Sequence, residues 1–187
     1  MNIADYTIDE HTHRFGLWTA ARAASTSRFS NSEVAKFIGD CQLKESLEEL
    51  GNSQDIDHKE YRDWFIKKAN SILECMNNYE NEKDKKRKKE FGVAAKIVSI
   101  YVKTVEVIPA KGMSKISIVA FPPIDRYLLL GLIKKLPIED ISWSKMDEKK
   151  FMALVDQLKS FMGEKPFWML ECHWDLNKKR HVETPDL

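Results

Sequence analysis

Five cations, Lys85, Lys86, Arg87, Lys88 and Lys89, run into a glycine, Gly92, and then into the apolar stretch VAAKIVSIYV. A glycine at a helix start lets another group approach the backbone closely, and first-turn N–H groups attract anions, so this layout suits a phosphate. Lys96 sits in the first turn, at the edge of the apolar face, and shares a polar stripe with Ser99, Lys103 and Glu106. The plainer reading is a solvated stripe behind an exposed, charged linker, NEKDKKRKKE (81–90).

A second group lies near the N-terminus. At 100° per residue, His11, Arg14, Phe15, Trp18, Arg22 and Ser25 fall on one side of a helix, with Leu17, Ala20, Ala21 and Ala24 on the other. Guanidinium groups grip phosphates and stack on aromatic faces, so Arg14, Trp18 and Arg22 form a candidate site for an anion or a planar ligand. The same arginines also suit carbonyl capping or pairing with the 29 acidic residues. His11 and His13 point to different faces, which makes them a poor metal pair, and no metal or cofactor is expected.

Other chemistry finds little footing. The chain has no GxSxG, Walker A, GxGxxG, HExxH or EF-hand pattern. Cys41, Cys75 and Cys172 are odd in number and widely spaced, which argues against a disulfide framework or a structural zinc site. Cys172 and His173 are adjacent, but a catalytic cysteine–histidine pair is normally assembled from separate segments.

The elements that must position these residues are read from periodicity. TIDE offers a capping box, Thr7 to Glu10, for a helix to about Ser25; SNSE repeats it with Ser30 and Glu33. Residues 57–78 give the clearest amphipathic helix, with Tyr61, Trp64, Phe65, Ala69, Ile72, Leu73 and Met76 on one face. A second strong helix runs from Val93 to about Val107. ISIVAF (116–121) reads as a short strand or an extended apolar loop. PPIDRYLLLGLIKKL starts a helix with Pro123 in its first turn, Ser144 and Asp147 lead another, and Pro166 opens the last. The expected class is all-α: a compact multi-helix bundle with at most one short β element near 116–121. It forms a single helical domain over 1–187, or two lobes, 1–80 and 91–187, joined by 81–90.

Composition agrees. Hydrophobic residues are 43% of 187, including five Trp and nine Phe, so a packed core is expected. The net charge of +1 argues against a molecule coated in positive charge and leaves room for a local basic patch. The N-terminus lacks a signal-peptide layout and no apolar run spans a bilayer, so a cytoplasmic protein without a membrane partner is expected.

FGVAAKIVSIYVKT followed by PPIDRYLLLGL (residues 91–132) resembles the helix-hairpin-helix DNA glycosylase superfamily. Members carry a hairpin ending Gly-Val-Gly-x-Lys-Thr-Ala, then a helix, then Val-Asp-x-His-Val-x-Arg opening the next helix. Gly92 and Val93 match the Gly-Val, Lys96 matches the nucleophilic lysine of the bifunctional members, and Asp125 matches the essential aspartate. Ala94 or Ala95 stands where the family has its second hairpin glycine. The resemblance implies a DNA partner and base excision. A modified base would be flipped and stacked, with Trp18 a candidate; backbone near Gly92 and the 85–89 cations would hold phosphate; Asp125 would stabilise charge on the sugar; and Lys96 would attack C1′. The whole chain, with HRFGLWTAARAA ahead of PPIDR, also looks like a bacterial protein family to which no function attaches. Two other readings stay open: a non-catalytic helical module binding protein or nucleic acid, and a small-molecule or nucleotide site at the Arg14–Trp18–Arg22 face.

Overall fold

The computed structural model describes residues 6–23, 29–53, 55–82 and 89–174, with no side-chain description at 80–82. Within these residues the chain is all-helical, with no strand. The cations Lys85, Lys86, Arg87 and Lys88, and Ser25 on the first helix, lie outside the described residues.

The N-terminal helix α1 (Ile8–Ala23) starts where Thr7 Oγ1 accepts the Glu10 N–H at 3.2 Å. A complete capping box at Ser30 and Glu33 opens α2 (Asn31–Asp40). α3 (Leu43–Gly51) has no counterpart in the sequence reading, although Leu43, Leu47 and Leu50 bury at helical spacing. The long helix α4 (His58–Glu82) begins as expected, with Asp57 Oδ1 accepting the Glu60 N–H at 2.7 Å.

α5 (Phe91–Val102) is the axis of the molecule. Every residue in it is buried except Lys96 and Ile100, which are partly so, and it packs on α1 and α4. A helix apolar nearly all round belongs inside a protein. It then widens into a π turn (Lys103–Val107), where the Ile108 N–H reaches back to the Lys103 carbonyl at 3.0 Å.

Two expectations change in the next stretch. ISIVAF forms no strand. Ser114 caps a short helix, α6 (Lys115–Val119), by accepting the Ser117 N–H, and this turn buries Ile116 and Val119, leaving 120–125 extended. The helix after the prolines begins later than expected. Pro122 and Pro123 stay outside it, and Asp125 is the N-cap of α7 (Arg126–Leu132). A 3₁₀ turn (Trp143–Lys145), α8 (Glu148–Met162) capped by Asp147, and a last 3₁₀ stretch (Phe167–His173) close the chain. In α8 Phe151, Leu154, Val155 and Leu158 are buried together with Met152 and Met162, while Phe161 is 39% exposed.

One continuous apolar core runs from Ala20 to Leu170. At its centre Phe65 packs against the rings of Tyr61, Phe121 and Phe151. α1 docks on α5 and the π turn through small and polar groups. Gly16 leaves room for Val105 and Tyr101, His13 Nδ1 meets the Tyr101 hydroxyl at 2.7 Å, and Thr19 meets Thr104 at 3.0 Å. No described helix is long and apolar enough to cross a membrane.

Phe65→Ala should cost about 3–5 kcal/mol of unfolding free energy, seen as a lower denaturant midpoint, because its ring is fully enclosed. His13 predicts a pH effect. Burial, aided by the Lys44 ammonium, holds its pKa below the ordinary 6.5, so the folded state resists the proton. Its stabilisation is therefore complete above 6.5 and declines as pH falls from there through the folded value. His13→Gln should flatten that part of a melting-temperature profile relative to the parent chain.

Candidate functional site

α5 and the π turn that continues it present Lys96, Ile100 and Lys103 along one face, and that face forms the wall of a cleft of about 430 Å³. α1 supplies the facing wall with Phe15, Trp18, Thr19 and Arg22, while Asp125, Leu128, Glu171 and Trp174 complete the rim.

Lys96 and Asp125, far apart in sequence, meet here. Lys96 Nζ lies 3.3 Å from Asp125 Oδ2, and their side chains are 13% and 11% exposed. The other carboxylate oxygen, Oδ1, accepts the N–H groups of Tyr127 and Leu128, both at 3.0 Å, and the Trp174 indole N–H at 3.2 Å. Asp125 is thus a helix cap and a site anion at once. All its partners donate, so the carboxylate acts as a fixed acceptor. On its other side Lys96 stands 4.5 Å from the centre of the Trp143 ring, a cation–π distance.

A second pair lies further along the same helix. Lys103 ion-pairs with Glu171, and its ammonium is 6.0 Å from the Trp174 ring. Across the cleft, Phe15 and Trp18 stack at 5.7 Å, and the Arg22 guanidinium lies 5.9 Å from the Trp18 ring. Trp18 is 51% exposed, an aromatic face open to solvent at the mouth. The cleft therefore combines flat aromatic walls, two lysine–carboxylate pairs and one arginine. Such a lining accommodates a planar ring carrying an anionic group.

The remaining candidates are placed elsewhere. Arg14 bonds Glu10 at 2.6 Å, lies over the Tyr6 ring and is not part of the cleft lining. Lys89 has its ammonium over the Phe29 ring at 5.1 Å, and its backbone N–H is donated to Asn77 Oδ1 at 2.7 Å.

Gly92 serves a close approach, but to protein. A Cβ there would stand 1.9 Å from the Trp143 carbonyl oxygen, and its N–H is donated to the Met146 carbonyl at 3.0 Å. The first turn of α5 is thus seated on the 143–146 turn, and that N–H is taken. The same turn carries the Trp143 ring to Lys96.

Lys103, Trp143, Glu171 and Trp174 were not singled out as site residues in the sequence. Lys103 had a usable marker, its seven-residue spacing from Lys96. The other three arrive from turns whose placement no local pattern fixes. Among the described residues no group of three or more His, Cys, Asp or Glu is placed to hold a metal. Comparison of the chain with protein-family models, with curated proteins and with solved structures finds no match.

Gly92→Ala should destabilise the fold by about 1–3 kcal/mol, because a backbone oxygen cannot swing aside as a side chain can. Trp143 fluorescence, measured with the other tryptophans replaced by phenylalanine, should shift in the folded variant as the turn moves.

Proposed function

We propose that the protein is a DNA glycosylase with associated lyase chemistry, acting on a modified base. One observation carries the reading: Lys96 and Asp125, matched to the lysine and aspartate of the helix-hairpin-helix glycosylases, lie 3.3 Å apart on the wall of one cleft. Asp125 also opens a helix, as the family's aspartate does.

In this reading a flipped base enters the cleft and stacks against Trp18 or Trp174, a contact worth about 1–3 kcal/mol per base. Flipping brings the sugar toward the Lys96–Asp125 pair. The Asp125 carboxylate stabilises positive charge growing on the sugar as the glycosidic bond weakens. Lys96 nitrogen forms a bond to C1′, the C1′–N bond to the base breaks, and the proton shed by Lys96 ends on the leaving base. Opening of the sugar ring then gives the protonated imine, from which strand cleavage follows. Arg22, at the cleft mouth, and the cations at 85–89 are the groups offered to phosphate; Gly92 is not, since its N–H is already bonded.

A second reading draws on the same cleft. Trp18, Arg22 and Lys103 line it together, which suits non-covalent capture of a planar anionic ligand such as a nucleotide.

Borohydride trapping on duplexes with abasic sites and a panel of modified bases separates these readings. A covalent adduct is expected, falling at least about a hundredfold with Lys96→Ala. Base release should fall by a similar factor with Asp125→Asn, which keeps a capping oxygen but loses the charge. Neither release nor adduct across the panel, in folded protein, would discard the enzyme and leave the nucleotide-binding reading.

A further inference from the structure

Away from the cleft, two cysteines meet. Cys41 ends α2 and Cys75 lies in the middle of α4, and their sulfurs are 3.6 Å apart as free thiols. That is van der Waals contact, and a disulfide of about 2.05 Å requires the two sulfurs to approach by roughly a further 1.5 Å. Cys41 is buried and Cys75 half-buried, so Cys75 is the more accessible residue of the two.

We infer that Cys41 and Cys75 form a redox modification site, which a small-molecule disulfide such as glutathione disulfide converts to a cross-link between α2 and α4. In the first step the Cys75 thiolate attacks a glutathione sulfur, giving a Cys75–glutathione mixed disulfide and one glutathione thiolate. In the second, Cys41 loses its proton and attacks Cys75 Sγ, expelling the second glutathione thiolate. Two thiols are oxidised and one glutathione disulfide is reduced to two glutathiones.

The second step is the slow one. Burial, with the Cys75 sulfur alongside, pushes the Cys41 thiol up to about 12, and Asp40 acts in the same direction. Lys68 opposes them; its ammonium, which donates to the Cys41 carbonyl at 2.9 Å, favours the thiolate. Closure should therefore speed up as pH rises from about 7 to 10, as the thiolate fraction grows. The bridge would close a loop containing all of α3, and restricting that loop in the unfolded chain favours the folded state. The site is independent of any chemistry in the cleft.

The full chain carrying Cys172→Ser, which removes the exposed third thiol, is purified reduced and equilibrated with glutathione and glutathione disulfide. Peptide mapping should recover a 41–75 disulfide. The melting temperature should rise by roughly 10 °C and return with dithiothreitol. Adding Cys75→Ser, a half-buried position, should abolish both changes. A glutathione adduct that persists on Cys75 without closure, no oxidation at all, or a cross-link seen only after denaturation would overturn the proposal. A cross-link that leaves the melting temperature unchanged or lowers it would overturn the stabilising role.

Discussion

A helix with almost no solvent face governs the architecture. α5 buries ten of its twelve residues, so each neighbour is obliged to cover part of it. α1 closes one side through Gly16 and Thr19, α4 another through the row from Tyr61 to Met76, and α8 and the 143–145 turn the start. A lysine on such a helix must be supplied with an anion, because an uncompensated charge that is largely out of water is costly. Asp125 supplies it. The cleft exists where the wrapping of α5 is incomplete, along the Lys96–Ile100–Lys103 edge.

How α5 is seated explains Gly92. The approach is so close that the Trp143 carbonyl oxygen occupies the space of a side chain. Gly131 repeats the device, with the His173 carbonyl oxygen 1.8 Å from where its Cβ would be. Both contacts join a helix to a turn that also carries a site aromatic, Trp143 in one case and, just beyond His173, Trp174 in the other. The packing joints and the two indoles around the Lys96–Asp125 pair are therefore set by the same pieces of backbone.

Much of the scaffold was legible in the chain. Thr7, Ser30, Asp57 and Asp147 mark helix starts because a short polar side chain satisfying a free N–H is a local event. The face of α4 follows from a pattern that spans its length. Legibility fails where the outcome depends on distant segments. The run 116–121 is apolar enough for a strand, but Ser114 and the surrounding helices make it a turn of helix. α3 is short, and its three leucines stand among residues that carry no other cue. In the site, Lys96 and Asp125 came from resemblance to a motif, and only folding brings them together. Trp143 and Trp174 reach the pair through turns, where neither periodicity nor charge announces a position. The cysteines show the same limit: their number and spacing argued against a disulfide framework or a structural zinc site, and the packing of α2 on α4 brings two of them to 3.6 Å.

Asp125 holds two posts that are usually filled separately. The oxygen that caps α7 and the oxygen that faces Lys96 belong to one carboxylate, so the helix start and the site charge share a single rigid group. Whatever draws that carboxylate toward a bound molecule also pulls on the first turn of α7, and whatever loosens that turn blurs the aim of the charge. A movement of this one group therefore changes the helix start and the charge facing Lys96 together. Asparagine or serine would keep the cap and discard the charge, while glutamate would keep the charge on a longer arm that fits the cap less well. The position therefore admits compromise in only one of its duties at a time, which makes it a sensitive marker for whether the charge itself is under selection.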